Sequence, residues 1–115
     1  MNDNCLFCKI IKKEIPSNIV YENEYVLAFH DIHPVTPVHI LVIPKMHIKN
    51  INEITEENLK YISEIFKAIK EVAKICNIYE DGYRVISNCG KNAQQEIPHL
   101  HFHILGGKKL GIKIV

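Results

Sequence analysis

Histidine and apolar residues alternate along one short segment, which reads His99-Leu100-His101-Phe102-His103-Ile104. On a β-strand, successive side chains point to opposite faces, so the apolar row and the histidine row separate. The apolar row can enter a core, whereas unpaired imidazoles are costly to bury. The alternation therefore predicts a strand over 99–105, ended by Gly106-Gly107, that presents three histidines to water, a ligand or a metal.

The remaining periodicities place this strand in an α+β domain. Apolar residues recur at steps of three and four over 55–77 and predict a long helix, with Thr55 as N-cap and Asn77 in the left-handed conformation at its end. The other predicted elements are a short helix over 5–13, a hairpin of strands 18–22 and 25–30, a loop over 31–38, a buried strand over 39–44, a strand over 83–88 and a loop over 89–98. We expect one domain over 1–115, with an antiparallel sheet of about five strands, one long helix and a short N-terminal helix.

Charge and composition exclude several classes of partner. The formal net charge is +1, with 14 basic and 13 acidic residues, so no basic footprint for nucleic acid is expected. No apolar run is long enough for a membrane helix, and the polar start Met1–Asn4 does not resemble a secretory signal. We therefore expect a cytoplasmic protein whose four cysteines are reduced thiols, which favours metal binding or catalysis over disulfides.

Three interpretations of the histidine row compete. The row could be a solvated strand face, although three histidines on one face beside a Gly-containing loop seldom arise by chance. It could be a three-histidine metal site with an open position for water. It could also contain a neutral imidazole that acts as a nucleophile, with its neighbours fixing the tautomer and donating to phosphate.

A cysteine pair near the start of the chain bears on this choice. Cys5 and Cys8 are two residues apart, which is half of a zinc site, but two buried thiols on a short helix fit the spacing equally well. A set completed by His47 and His99 would be tetrahedral with no open position, which is the structural kind of zinc site.

Together these motifs resemble the histidine triad (HIT) superfamily, and within it the Hint branch of zinc-binding bacterial type. The resemblance runs through nearly the whole chain, in the order Cys5-Leu-Phe-Cys8-Lys-Ile-Ile, Lys13-Glu-Ile-Pro16, Ala28-Phe-His-Asp31-Ile, His39-Ile-Leu-Val-Ile-Pro-Lys-Met-His47 and His99-Leu-His-Phe-His-Ile-Leu-Gly-Gly107. It implies the HIT-like fold, a homodimer and a purine nucleotide ligand similar to AMP or GMP.

The resemblance also implies roles for individual residues. His101 matches the nucleophile that forms a nucleotidyl-histidine intermediate, His103 matches the residue that hydrogen-bonds the phosphate, and His39 and His99 match residues that orient and buffer the nucleophile. The nucleotide-binding residues implied are Asp31 at the ribose hydroxyls, Phe7, Ile10, Phe29 and Ile32 around the base, and Asn88 and Gln95 at the ribose-phosphate end. Structural zinc would be held by Cys5, Cys8, His47 and His99, with no organic cofactor. On residue type alone, Asp31 is better interpreted as a turn residue between His30 and Pro34.

One residue and one loop depart from the family pattern. Glu96 stands where many eukaryotic members have a serine thought to help protonate the leaving group, and it resembles bacterial members instead. The loop 91–94 lacks the paired glycines that usually precede the triad.

The activity implied is that of a purine nucleoside phosphoramidase of the AMP-NH2 or AMP-lysine type, acting on the α-phosphate. Three alternatives stay open at this point: hydrolysis of a dinucleoside polyphosphate, a nucleotide- or zinc-binding regulatory module without turnover, and a three-histidine zinc hydrolase.

Overall fold

A computed structural model describes residues 4–114, and the first three residues of the polar start lie outside this range. The helices are α1 (Leu6–Ile11) and α2 (Leu59–Ile75), and the strands are β1 (Ile19–Glu22), β2 (Val26–His30), β3 (Val38–Pro44), β4 (Arg84–Ile86) and β5 (Phe102–Gly106). Short 3-10 turns occupy Ile51–Glu53, Glu56–Asn58 and Lys91–Ala93. The order of helices and strands is the predicted one.

The five strands form one antiparallel sheet in the order β1-β2-β3-β5-β4. The hairpin β1–β2 turns at Asn23, whose side-chain oxygen accepts hydrogen bonds from the N–H groups of Tyr25 and Val26 at 2.8 and 3.0 Å. At the centre of the sheet, Leu41 of β3 pairs with His103 of β5.

A separate hydrophobic core lies on each face of the sheet. Helix α2 packs on one face, where Leu100, Phe102 and Ile104 join the core as the alternation predicts. Helix α1 packs on the other face, where Phe7 meets Leu41. Strand β3 is buried on both faces, which explains its nearly continuous apolar run.

The last strand is shorter than predicted, because the segment 99–101 does not join the sheet ladder. Its main chain bonds to loops instead. The N–H of His99 donates to the carbonyl of Ile97 at 2.8 Å, and the N–H of Leu100 donates to the carbonyl of Ile48 at 2.6 Å. The strand proper begins at Phe102 and ends at Gly106, where the glycine pair was expected to end it.

The long helix also differs at its ends. Thr55 caps a 3-10 turn in a capping box with Asn58, and the α-helix itself starts at Leu59. It ends at Ile75, and Asn77 takes the left-handed conformation, as expected, with φ of 59°. Among residues 4–114, no helix combines the length and apolar character needed to cross a bilayer.

Candidate active site

His101 lies at the floor of a cleft with its ring held by the main chain. Its Nδ1 atom is 2.7 Å from the carbonyl oxygen of His99, and a carbonyl can only accept, so Nδ1 carries the proton. In the neutral ring, the lone pair is therefore on Nε2. Phe7 packs edge-on against the same ring at 5.1 Å between centroids. The arrangement presents one nucleophilic nitrogen in a fixed orientation.

A second chain of hydrogen bonds sets the tautomer of His103. The main-chain N–H of Val35 donates to Nδ1 of His39 at 3.1 Å, so the proton of neutral His39 lies on Nε2. That nitrogen is 2.9 Å from Nδ1 of His103, which must then accept. The remaining N–H of His103, on Nε2, is left to donate to a ligand. His39 thus contacts His103 rather than His101, and the predicted orienting role reaches His101 only through its neighbour.

Burial favours the neutral form of four imidazoles at this site, those of His39, His99, His101 and His103. Desolvation lowers the pKa of His99 and His103 to about 4, and it also lowers the pKa of His39 and His101. The carboxylate of Asp31, 3.4 Å from Nε2 of His39, acts in the opposite direction and favours a higher pKa at His39, His101 and His103. Neutral rings at neutral pH are what a nitrogen nucleophile or a metal ligand requires.

The cleft above His101 has a volume of about 360 Å³. It is lined by Phe7, Asp31, Leu41, Asn88, Gln94, Glu96, Ile97, His101 and His103. Apolar side chains and a few convergent polar groups make such a cleft typical of a small-molecule site.

Asp31 combines the two roles considered from the sequence. Its Oδ1 atom accepts a hydrogen bond of 2.7 Å from the N–H of His33, as a turn residue would. Its carboxylate also lines the cleft beside His39 and His103. Asn88 lines the cleft as well, with its amide nitrogen donating to the carbonyl of Ala93 at 2.7 Å.

The other predicted nucleotide contacts lie outside the lining of this cleft. Ile10 and Phe29 are packed in the core beneath α1, and Ile32 is 86% exposed. Gln95 uses its side chain within the loop, where Oε1 accepts from the N–H of Gly90 and Nε2 donates to the carbonyls of Lys49 and Ile97. Contact of these four residues with a nucleotide stays a prediction.

Three lining residues were missed from the sequence, namely Leu41, Gln94 and Ile97. Leu41 is signalled only by its register opposite His103, which the sequence does not reveal. Gln94 is adjacent to the predicted Gln95, and the choice between them depends on the left-handed backbone at Gln94, with φ of 60°.

A cluster of two cysteines and two histidines lies behind the cleft. The side chains of Cys5, Cys8, His47 and His99 bring one potential ligand atom each to within 4.8 Å of one another. Among residues 4–114, no such group combines His99, His101 and His103, so the three-histidine metal site is not formed. Asp31, His39 and His103 form a second group of neighbouring side chains that could bind a metal. In this group, Nε2 of His39 and Nδ1 of His103 already share the hydrogen bond described above.

The cluster fits a tetrahedral zinc ion. Sulfur-to-nitrogen distances are 3.2 Å for Cys5–His99, 3.3 Å for Cys8–His47 and 3.5 Å for Cys8–His99. Zinc bonds of ordinary length at a tetrahedral angle give ligand separations of about 3.6 Å. The Nε2 of His99 is 2.9 Å from the carbonyl oxygen of Pro44, so its proton lies there and the lone pair of Nδ1 faces the sulfurs.

The similarity to known proteins agrees with this geometry. Residues 12–110 match the family model described as the HIT domain. The purine nucleoside phosphoramidase of Escherichia coli strain K12 is 41% identical, over 96% of this chain and 93% of its own. A HIT family hydrolase from Clostridium thermocellum is 52% identical, with a TM-score of 0.97 and full coverage of both chains. A histidine triad protein from Clostridium difficile is 47% identical, with a TM-score of 0.93 over 96% of each chain. The chain therefore belongs to the HIT domain family.

Proposed function

We propose that this protein hydrolyses purine nucleoside phosphoramidates of the AMP-NH2 or AMP-lysine type through a nucleotidyl intermediate on His101. The observation that carries the proposal is the fixed tautomer of His101, a residue that lines the cleft: its Nδ1–H donates to the carbonyl of His99, which leaves the lone pair on Nε2. Similarity to a purine nucleoside phosphoramidase over nearly the whole chain supports the same activity.

In the first step, Nε2 of His101 attacks the α-phosphorus and the P–N bond to the amine breaks in line. The amine leaves with its bonding electrons and takes up a proton from water at the open side of the cleft. Positive charge that develops on the imidazole is met by the hydrogen bond from Nδ1–H to the carbonyl of His99. The N–H on Nε2 of His103 donates to a non-bridging oxygen of the phosphoryl group.

In the second step, water attacks the phosphorus of the intermediate. The bond from phosphorus to Nε2 of His101 breaks, its electrons return to the imidazole, and AMP leaves with the hydroxyl oxygen from water. The proton released by water passes to solvent through the open cleft. Neutral His101 is regenerated, which its lowered pKa favours because burial disfavours the charged ring.

The polar and apolar parts of the cleft fit a ribonucleotide. The Asp31 carboxylate lines the wall, and one carboxylate can accept from both ribose hydroxyls. Phe7 and Leu41 offer apolar surface beside it. Zinc held by Cys5, Cys8, His47 and His99 would supply a structural cross-link between α1 and the segment that carries His101.

We also propose that the chain is a single domain that works as a homodimer in the cytoplasm. Strand β4 is an edge strand with Val85 and Ile86 partly exposed, and the Phe66 side chain on α2 is 54% exposed. A second copy would cover these apolar groups. The net charge of +1 gives no support to a nucleic acid partner.

The test compares adenosine 5′-phosphoramidate turnover by the native protein with His101→Ala and His101→Gly. We expect AMP release to fall at least about 10³-fold in both variants, with AMP still bound. An adenylylated peptide containing His101 should be trapped on rapid quenching of the native reaction. His30→Ala is the matched control, because His30 is an exposed histidine at the end of β2 and does not line the cleft, and it should keep full activity.

Two outcomes would overturn the proposal. Faster turnover of a diadenosine polyphosphate than of every phosphoramidate would assign the protein to dinucleoside polyphosphate hydrolysis. Nucleotide binding without any turnover would make it a binding module.

A further inference from the structure

A second cleft adjoins the first. It has a volume of about 420 Å³ and is lined by Lys49, Asn50, Gly90, Lys91, Gln94, Gln95, Glu96 and Pro98. Gln94 and Glu96 line both clefts. A substrate with its phosphorus at His101 can therefore extend past these two side chains into the second cleft.

Gln94 stands at this junction in a strained conformation. Its φ of 60° is in the left-handed region, which disfavours residues with a Cβ atom. Within the described chain, its side-chain amide makes no hydrogen bond with another protein group. Strain of this kind persists only where the surroundings hold the backbone, and it gathers at functional sites.

The surroundings that hold Gln94 are provided by Gln95. Its side chain joins three main-chain segments through hydrogen bonds of 2.8 to 3.0 Å, to Lys49, Gly90 and Ile97. The N–H of Gln95 also donates to the carbonyl of Gly90 at 3.1 Å. The loop is therefore rigid at the centre, and the side chains of Gln94 and Glu96 on either side of Gln95 are free to meet a ligand.

The acidic and basic side chains of the second cleft lie at different distances from its junction with the first cleft. Glu96 lies at the junction, whereas Lys49 and Lys91 are exposed and line the second cleft but not the first. Neither lysine forms an ion pair within residues 4–114. A leaving amine would pass the carboxylate, and a negative group further along the same molecule would meet the lysines.

We propose that the second cleft is a leaving-group subsite selective for amines that carry a carboxylate or similar anion, with Gln94 as the specificity-determining residue at its entrance. The inference rests on the proposed phosphoramidase activity. In this arrangement, the Gln94 amide donates to a terminal oxygen of the substituent on the leaving nitrogen, and Lys49 and Lys91 bind the same end when it is anionic.

The experiment uses three adenosine 5′-phosphoramidates, whose nitrogen is unsubstituted, N-(2-carboxyethyl) or N-(2-carbamoylethyl). The last two have the same shape and differ in charge. We expect the native protein to favour the carboxylate over the carboxamide by about fivefold in kcat/KM, as for an exposed ion pair. Replacing both lysines, Lys49→Gln with Lys91→Gln, should bring the ratio to about one. Lys70→Gln, which removes a lysine from the exposed side of α2, should leave the ratio unchanged.

Gln94 is tested by Gln94→Gly and Gln94→Asn. Glycine relieves the left-handed strain, so this variant folds and isolates the loss of the amide. We expect the loss of kcat/KM to be about fivefold larger for both substituted substrates than for the unsubstituted one. Asparagine, which tolerates this backbone and keeps the amide, should recover part of the loss.

Binding separates this inference from the proposed function. The Kd of each phosphoramidate is measured with the His101→Asn protein, which cannot form the covalent intermediate. If the native protein turns over none of the substrates, the proposed activity fails and the ratio of Kd values decides the subsite. Equal affinity for carboxylate and carboxamide, or a ratio that survives loss of both lysines, would overturn it. An equal loss with all three substrates in Gln94→Gly would overturn the role of Gln94.

Discussion

Nδ1 of His101 lies 2.7 Å from the carbonyl oxygen of His99, and the ring of His99 lies in the Cys/His cluster 3.2 Å from the sulfur of Cys5. The proposed nucleophile and the proposed zinc site are therefore joined by a single residue. Its main chain orients His101, and its side chain anchors the segment to α1. Substitution of a cluster residue should therefore alter the orientation of His101 even though no residue lining the cleft is changed.

Loss of one cluster ligand tests whether the proposed zinc site stabilises the fold. Cys8→Ala deletes a fully buried thiol next to both cluster histidines. We expect bound zinc to fall from one ion per chain to none, with a loss of about 3 kcal/mol or more in unfolding free energy. For a domain of this size, that corresponds to a fall of about 10 °C in Tm. Metal content and thermal unfolding are measured before and after chelation.

Cys76→Ala is the matched control, because this thiol is half-buried beside α2 and outside the cluster. It should keep its zinc. A native protein that is purified without zinc, and whose Tm does not respond to zinc or to a chelator, would contradict the assignment.

The alternation at 99–104 predicts which apolar side chains enter the core on the α2 side, but not where the strand begins or that His99 and His101 are buried. Leu100, Phe102 and Ile104 are buried on the α2 side as predicted. The ladder nevertheless starts only at Phe102, because Leu100 bonds to Ile48 and the His99 ring is drawn to the cysteines. These partners are 52 and more than 90 residues away in sequence, and periodicity within a short window does not contain them.

The loop before the triad holds two neighbouring glutamines. The family resemblance implies that Gln95 contacts the ribose-phosphate end, and this contact stays a prediction. The structure has Gln95 bound to Lys49 and Gly90, and Gln94 in the cleft. Neighbouring residues of one type are distinguished only by backbone conformation, here a left-handed residue where glycine would be expected.

His39 is expected to act as a positioning residue for His103. His39→Ala removes the hydrogen bond of 2.9 Å to Nδ1 of His103, so that either nitrogen of His103 can carry the proton. We expect kcat to fall about tenfold, as for loss of an orienting partner, with KM for the phosphoramidate little changed. The ¹⁵N chemical shifts of His103 should report a mixture of tautomers in place of one.

His39→Gln is the conservative variant, since its amide can donate to Nδ1 in place of the imidazole. It should restore most of kcat and the single tautomer. Equal losses in the alanine and glutamine variants, with unchanged shifts at His103, would show that His39 does not act through the tautomer.

Glu22, at the end of β1, forms ion pairs with Lys13, which follows α1, and with Lys45, which follows β3. Its carboxylate lies 2.8 Å from the Lys13 ammonium and 2.7 Å from that of Lys45, and these partners lower its pKa. Because the pKa of Glu22 is lower in the folded than in the unfolded protein, the ion pairs stabilise the fold at pH values above the unfolded-state pKa. This stabilisation is lost as the pH falls through the folded-state pKa. Glu22→Gln should cost about 1 kcal/mol at most at pH 7, because all three groups are partly exposed.

Urea unfolding of the native protein and Glu22→Gln measures this difference. The gap between the two proteins should shrink as pH falls below about 4 and as salt rises. The replacement of Glu14, an exposed glutamate without an ion pair in the described chain, serves as the control and should leave stability unchanged. A gap that is the same at pH 7 and at pH 3 would contradict the ion-pair explanation.

Gly107 directly follows β5, the strand whose pairing with β3 sets His103 opposite Leu41. Its φ is +88°, and a Cβ atom there would lie 2.9 Å from Cβ of Pro37 and 3.3 Å from the main-chain nitrogen of Val38. Because the contacts are a ring and main chain, they cannot give way easily. We expect Gly107→Ala to cost about 2 kcal/mol from the left-handed backbone and the clash together, whereas Gly111→Ala, which meets nothing within 4 Å, should stay within about 0.5 kcal/mol. Urea unfolding checks both. Equal stability of the two variants would contradict this expectation and would mean that the turn rearranges around the added methyl group. The phosphoramidase activity of Gly107→Ala at low temperature would then show whether His103 keeps its register opposite Leu41 after that rearrangement.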